Sequence, residues 1–443
     1  MRRTSEWWNR RIGDCCTVGD GAHASIARHN IGVMYLSSKN FKPHGLDLSK
    51  VEFISEADFQ RHFKEHSKAI TKPSLGDVLV GIIGSLGEPY VVRATDRFGL
   101  SSSVAILRPN KNLLLPKYLY YWMRGAKFQS AVYGIKGGVA QSYLSLEMIR
   151  SLPVEFPNLD AQRRIVDILS ACDDLIENNT RRIQILEQMA QLLYRVWFVN
   201  FRFPCHDKVK MVESEIGLVP KGWRVSNIGE LFELHIGGGW GEEMQEAEFT
   251  SPAYVIRGTD IPPARIGNLD KCPLRYHKKS NLASRVLEPW DIVFEVSGGS
   301  KGQPVGRSLL IHPKVLSAFG GDVMCASFCK LLRPKTSRIG VAHLYQYLLE
   351  IYSNGIIDKY QVQSTGITNF KFAVFLEDAK LAVPPEDIRD KFEQLCRPIL
   401  DTVFVLGRKN ANLRETRDLL LPKLVSGEVS VENLEEEALA ETV

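Results

Sequence analysis

Ile165, Leu169, Cys172, Ile176, Asn179, Ile183, Leu186, Ala190, Leu193 and Trp197 recur at alternating steps of four and three residues. A 4-3 repeat held for more than four heptads puts one stripe along one side of an α-helix. It predicts a long helix with a packing seam. Pro157 stands just ahead of its start, and Asp160 supplies an N-cap or a first-turn acid. From Ile165 to Trp197 such a helix spans roughly 50 Å, at about 1.5 Å per residue. Phe392, Ile399, Leu406, Leu413 and Leu420, each seven residues apart, predict a second long helix. Leu395 lies between the first two; Thr402, Lys409 and Thr416 make the other row more polar, and Pro422 and Gly427 mark the end. Asn179 at a seam position costs stability and fixes register. One such helix alone would leave its stripe exposed, so the two are expected to pack together, antiparallel. An ordinary internal helical bundle is the alternative.

Outside these segments the apolar runs are short and punctuated by Gly and Pro, as in Asp77–Ile83 and Ile292–Val296. They read as strands of mixed α+β domains. The chain also repeats itself. Trp7, Ile12 and Gly13 recur as Trp223, Ile228 and Gly229, and Tyr35–Phe41 resembles Val255–Ile261. Gly76-Asp77 answers Trp290-Asp291, Gly84–Pro89 answers Gly299–Pro304, Val104–Pro109 answers Phe328–Pro334, and Gly138–Gln141 answers Gly366–Asn369. The order is kept throughout, and offsets of 214 to 228 drift only through small insertions. Each half therefore follows one plan, a mixed α/β domain and then a long helix. The expected divisions are 1–157, 158–204, 205–383, 384–427 and an acidic, flexible tail at 428–443. The expected class is α+β, two mixed α/β domains separated by two long antiparallel coiled-coil helices with a pseudo-two-fold internal repeat.

A length of 443 residues allows two to four domains. The net charge of +5 is uneven: six Glu and no Lys or Arg lie between Gly427 and Val443. Without them, 56 basic against 45 acidic residues leave +11 on the body, a balance that favours a polyanion. No apolar run is long enough to span a bilayer, and the stretch from Met1 to Trp8 lacks a signal-peptide apolar segment. Eight irregularly spaced Cys do not form a disulfide framework, so a reducing, cytoplasmic setting is expected. Cys325 and Cys329, with alternating apolar neighbours, read as a buried strand rather than a metal site.

Two globules held by a rigid helical spacer suit a target with two separated half-sites. Double-stranded DNA presents half-sites about 34 Å apart per helical turn. Here a resemblance enters. Leu152-Pro-Val-Glu-Phe-Pro157-Asn-Leu-Asp-Ala-Gln162-Arg-Arg-Ile165-Val-Asp-Ile-Leu169 is similar to the start of the first conserved region of the specificity subunits of type I restriction–modification systems. Leu186–Pro204 resembles its end, and Leu413–Glu428, with Ser426-Gly427-Glu428, resembles the family's closing segment. The second helix departs at Val383-Pro-Pro-Glu-Asp-Ile-Arg-Asp390, where Gln162 has no match. The resemblance implies two target-recognition domains that each read one part of a bipartite DNA sequence. It implies helices that set the spacing and dock two methyltransferase subunits, with restriction subunits in the full complex. It further implies that this chain is not an enzyme and carries no cofactor. S-adenosylmethionine, ATP and Mg²⁺ would belong to the partner subunits.

The residues agree with that absence of chemistry. An amino-methyltransferase tetrapeptide, Asn/Asp-Pro-Pro-aromatic, is missing: Val383-Pro-Pro-Glu and Ile261-Pro-Pro-Ala lack both ends. Gly298–Gln303 fails the phosphate-loop spacing, and Gly84-Ser-Leu-Gly87 reads as a turn between strands. Gly237–Gly241 is expected to be a flexible loop near DNA. Base-edge readers are Arg, Lys, Asn and Gln in polar, glycine-flanked loops. The candidates are Lys39, Asn40, Lys42, Lys136, Gln141 and Ser142 in the first half, and Arg257, Thr259, Lys301, Gln303, Gln363, Asn369 and Lys371 in the second. For docking, Trp197, Phe198, Phe201 and Phe203 form an aromatic cluster at a helix end, read equally as a subunit contact or as packing against the second globule. A coiled-coil adaptor without sequence-specific DNA binding is the other reading of the whole chain.

Overall fold

A computed structural model describes residues 7–43, 45–65, 70–136, 143–269, 271–298, 303–364 and 366–431. The chain divides into two compact units, Met1–Asp174 with Arg414–Val443, and Leu175–Leu413. Both are mixed α/β. In the first, a four-stranded antiparallel sheet runs in the order Cys16–Asp20, Val104–Pro109, Val78–Gly81, Pro89–Val91. Beside it Val33–Leu36 pairs antiparallel with Glu52–Ile54 and parallel with Phe98–Leu100. Trp7–Arg11 pairs with Pro153–Pro157, the strand that leads into the long helix Leu159–Tyr194.

The second unit repeats this strand for strand. Its four-stranded sheet is Phe232–Gly237, Cys329–Pro334, Ile292–Glu295, Ser308–Leu310. Ser251–Ile256 pairs antiparallel with Leu274–His277 and parallel with Val323–Cys325. Arg224–Asn227 pairs with Lys380–Val383, which leads into the helix Glu386–Ser426. The repetition extends to the side-chain contacts between two of the matched segments. Asp77, at the start of the third sheet strand, is 1% exposed and takes a two-pronged bond from Arg108 (2.8 and 2.8 Å). Asp291 is equally buried and takes the same fork from Arg333 (2.9 and 2.9 Å). The preceding residue has a positive φ in both units, +88° at Gly76 and +76° at Trp290. Each fork ties the third strand to the second, so removing one partner would strand a buried charge.

The long helices keep their seams dry. Asn158 caps the first, its side-chain oxygen accepting the Ala161 amide at 2.9 Å, while Asp160 is a first-turn acid. Within the first unit Ile165 and Leu169 join a core with Leu421, Leu424 and Val425. Asp173 accepts bonds there from Arg417 (2.6 Å) and the Tyr121 hydroxyl (2.8 Å). Within the second unit the Asn179 amide donates to Asn410 at 3.0 Å, Ile183 meets Val403 and Leu406, and Trp197 meets Phe392. Numbers rise on one helix as they fall on the other, so in each unit the two stretches pack antiparallel.

One expectation is corrected. The second row of the later helix is Cys396, Val403, Asn410, Arg417 and Leu424, all buried. Leu395 is 51% exposed, and Lys409 faces solvent. The row lies four residues after Phe392 rather than three. Its two polar members, Asn410 and Arg417, hid it, because their partners Asn179 and Asp173 are visible only in three dimensions. Pro422 lies inside the last turns of this helix, and Gly427, with φ +72°, ends it. No described helix is long and apolar enough to cross a membrane.

Candidate nucleic-acid interface

In the first unit the strand Val33–Leu36 leads into a 3₁₀ turn, Ser38–Asn40. The Asn40 side-chain oxygen accepts the Ser37 amide (2.9 Å), and its NH₂ donates to the Asp47 carbonyl (3.0 Å). The Ser38 hydroxyl donates to the Ile83 carbonyl at 2.5 Å. Ser38 and Asn40 are buried, and Lys39 between them is exposed. In the second unit the strand Ser251–Ile256 leads into Gly258–Asp260. Asp260 accepts the Arg257 amide (2.9 Å) and both prongs of its guanidinium (2.8 and 2.9 Å), which holds the Arg257 pKa above its ordinary value. Gly258 and Asp260 are buried and Thr259 is exposed.

Beneath each turn lies the end of the third sheet strand, and the two units solve that contact reciprocally. In the first, Ser38 carries the side chain and the strand ends in Gly81, where an added Cβ would come 3.1 Å from the Ser38 Cβ. In the second the turn has Gly258 and the strand ends in Glu295, whose Oε1 would lie 2.4 Å from a Cβ on Gly258. Glu295, 2% exposed, is neutralised by a fork from Arg307. A third segment meets each pair. The Leu144 amide donates to Ile82, and Tyr143 bridges Ile83. In the second unit Ser297-Gly298 pairs with Ile367–Phe370, which forms a hairpin with Gln361–Ser364 around Gly366 (φ +81°).

The nominated residues therefore fall into groups. Lys39, Lys42 and Thr259 are exposed. Among the described residues none of their side chains makes a hydrogen bond or ion pair. Gln363 and Asn369 lie exposed on the hairpin, where Asn369 accepts the Ser297 hydroxyl at 2.7 Å. Gln303 is exposed after the strand Ile292–Glu295, and exposed Lys371 precedes the helix Phe372–Asp378. Lys136 ends the helix Ala126–Lys136; its side chain lies outside the description, as do Gln141, Ser142 and Lys301. Asn40 and Arg257 are spent inward. The first has both amide ends bonded within the turn, and the second is clamped between Asp260 and the Lys271 carbonyl (2.7 Å). They build the loops rather than present themselves.

Three further features of the sequence find their place. Gly237–Gly241 is not a slack loop: the Gly238 and Gly239 amides donate to Cys329 and Cys325, and a Cβ on Gly238 would lie 2.1 Å from the Cys325 carbonyl. Gly21 is its counterpart, with a Cβ 2.2 Å from the Leu100 carbonyl. Both glycines permit close strand approach. Trp197, Phe198 and Phe203 are buried and Phe201 half-buried. Phe198 stacks on His343 at 3.8 Å and edges Phe392 at 4.7 Å, so packing consumes this cluster. The sequence reading overlooked an exposed row on the same helix, Leu175, Ile185, Met189, Leu192 and Val199, 49–62% exposed. The 4-3 spacing of Ile185, Met189 and Leu192 was the available signal. Finally, Arg389 takes the place of the missing Gln. Gln162 ties Leu113, Leu115 and Pro157 to the helix start in the first unit, and Arg389 donates to Thr336 and Ser337 in the second.

Cys325 and Cys329 are fully buried on adjoining strands, with Cys325 pushed up to about 12 by that burial. Among the described residues no group of three or more His, Cys, Asp or Glu is placed to hold a metal ion. What the two units share is one strand frame that leaves a few polar side chains exposed on its loops. That is a protein built from one duplicated α/β frame.

Comparison with known proteins narrows the class. The family model described as "Type I restriction modification DNA specificity domain" matches residues 4–188. The chain is 25% identical over 400 residues to the type I restriction enzyme MjaIX specificity subunit of Methanocaldococcus jannaschii, covering 88% of this chain and 86% of that one. It is 23% identical over 434 residues to the HindI specificity subunit of Haemophilus influenzae, covering 82% and 88%. In fold it is similar to the S subunit of a type I restriction–modification system from M. genitalium, with TM-score 0.55, 14% identity, and 96% and 97% of the two chains covered. Along most of its length, then, the chain is similar to specificity subunits of type I restriction–modification systems.

Proposed function

We propose that this chain is the DNA sequence-specificity subunit of a type I restriction–modification enzyme, and that each of its repeated α/β domains reads one half of a bipartite DNA target. The observation that carries the reading is the strand-for-strand repetition of one frame whose exposed loop residues differ between copies, Lys39 against Thr259 above all. Two different half-sites require a constant frame and changed contacts. The basic body supplies phosphate contacts, which position without specifying. An adaptor needs the helices but leaves the duplicated domains without a task.

On this reading the long helices form an antiparallel coiled-coil spacer between recognition domains at 1–157 and 205–383. Two methyltransferase subunits dock on them, restriction subunits complete the complex, and S-adenosylmethionine, ATP and Mg²⁺ enter with those partners. The chain itself performs no catalysis, and its setting is the cytoplasm. The exposed row Ile185, Met189 and Leu192 suits docking better than the buried aromatics, because its apolar area is still available. The test is to sequence the host genome for modified bases with and without this gene while the partner subunits are expressed. Loss of a single bipartite methyladenine motif on deletion is the expected result. Unchanged methylation would remove the reading.

A further inference from the structure

We infer that Lys39 and Thr259 are equivalent specificity-determining positions, one for each half of the DNA target, and that Asn40 and Asp260 are the positioning residues that aim them. This rests on the reading above and deepens it.

The argument starts from what the two turns hold constant. In both, the residue before the exposed one is buried against the end of the third sheet strand, by Ser38 over Gly81 and by Gly258 under Glu295. In both, the residue after it is buried, and its side-chain oxygen closes the turn on the amide three residues back, at 2.9 Å in each case. The apex is thus clamped on either side, and its side chain must point away from the unit's core. Among the described residues neither Lys39 nor Thr259 spends its side chain on an internal hydrogen bond or ion pair. The frame has no use for a Lys or a Thr at that place. A merely structural turn would tolerate any polar residue there.

The frame is also rigid where it matters. Asn40 is bonded at both ends of its amide, and Asp260 is held by three donors from Arg257. Rigid presentation is what discrimination between bases demands, because a bond that can swing meets a neighbouring base equally well. Chemistry then separates the two apices. Lys offers donors alone, which match the acceptors of guanine (N7 and O6) or thymine (O4) in the major groove. Thr offers a hydroxyl that both donates and accepts, and a methyl group that packs on the thymine methyl. The two half-sites are therefore read by different contacts from one scaffold position.

The test uses the full chain co-expressed with its methyltransferase subunits in a host otherwise free of adenine methylation, with modified bases sequenced genome-wide. Lys39→Met is expected to relax a single guanine or thymine position in one half-site, with about a tenfold loss of discrimination there, and to leave the other half-site intact. Thr259→Val is expected to relax one position in the other half-site. Even weakening across all sites, or a motif indifferent to both changes, overturns the inference. Asn40→Ala should blur the same half-site as Lys39→Met. Should that variant fail to fold, Asn40→Asp, which keeps the bond from the Ser37 amide and loses the one to the Asp47 carbonyl, should blur the same half-site more weakly than Lys39→Met; an unchanged motif, or an effect on the other half-site, in the folded protein overturns the positioning role. A wild-type complex that marks no bipartite site overturns the underlying reading and this inference with it. A bipartite motif unaffected by either apex change overturns the inference alone.

Discussion

The two units keep one frame and differ in how they fill it, and the differences come in compensated sets. Where the first has Ser38 over Gly81, the second has Gly258 under Glu295, and that added carboxylate brings its own Arg307. Where the first ties its helix start with Gln162, the second uses Arg389. Where the first buries Tyr118, its hydroxyl bonded to the Glu155 carbonyl at 3.1 Å, the second buries His343 among Phe198, Tyr194 and Phe392. Among the described residues neither His343 ring nitrogen has a hydrogen-bond partner. By contrast, the Asp–Arg fork between the second and third sheet strands is unchanged. Contacts that satisfy a buried charge resist change, because both partners must move together. Contacts of shape can trade one side chain for another.

Breaking the shared fork should produce the largest effect. Arg333→Met leaves Asp291 buried and unpaired and is expected to cost about 3–5 kcal/mol; Arg108→Met strands Asp77 likewise. Hydrogen exchange should report each loss in its own unit. An Arg333→Met protein as stable as wild type would mean that the fork does not hold the frame.

The Tyr118–His343 difference gives the second test. Burial depresses the His343 pKa to about 3, while an unfolded His titrates near 6.5. Between those values the unfolded chain binds the extra proton, so stability falls as pH drops from about 6.5 toward 3. The loss attributable to this group should reach about 2 kcal/mol at pH 5, at about 1.4 kcal/mol per pH unit. Urea midpoints across that range should be flatter in His343→Phe, whereas Tyr118→Phe should leave the slope as it is. Identical slopes for wild type and His343→Phe would refute the assignment.

The reciprocal contact sharpens the comparison at the smallest scale. Gly258→Ser imports the first unit's residue onto the second unit's Glu295 and should cost about 1–2 kcal/mol through overpacking. Adding Glu295→Gly should cost less than the sum of the two single changes, measured by thermal unfolding in a double-mutant cycle. Strict additivity would show that the two positions are not coupled.

Much of this was legible in the linear pattern, for a physical reason in each case. The first helix announced itself because a seam repeats every heptad, and Asn179 stood out as the one polar member of it. Repeat matches such as Tyr35–Phe41 with Val255–Ile261 located the paired turns at Ser38–Asn40 and Gly258–Asp260. The second helix was read one row off, because Asn410 and Arg417 look like surface residues until Asn179 and Asp173 are set against them. Among the candidate contacts, composition could not separate Lys39, which is exposed, from Asn40, which is consumed by the turn. The aromatic cluster from Trp197 to Phe203 looked equally suited to a partner or a core, and packing on His343 and Phe392 decides for the core within this chain.

By itself, then, the sequence determined the duplicated plan, the long helices and the family resemblance, because periodicity, order and short motifs are properties of the chain as written. The tertiary structure alone decided which polar residues are free to act. A side chain's availability depends on what lies across from it, and Asp260, Glu295 and Asn410 find their partners either through the backbone geometry of a turn or across long stretches of chain.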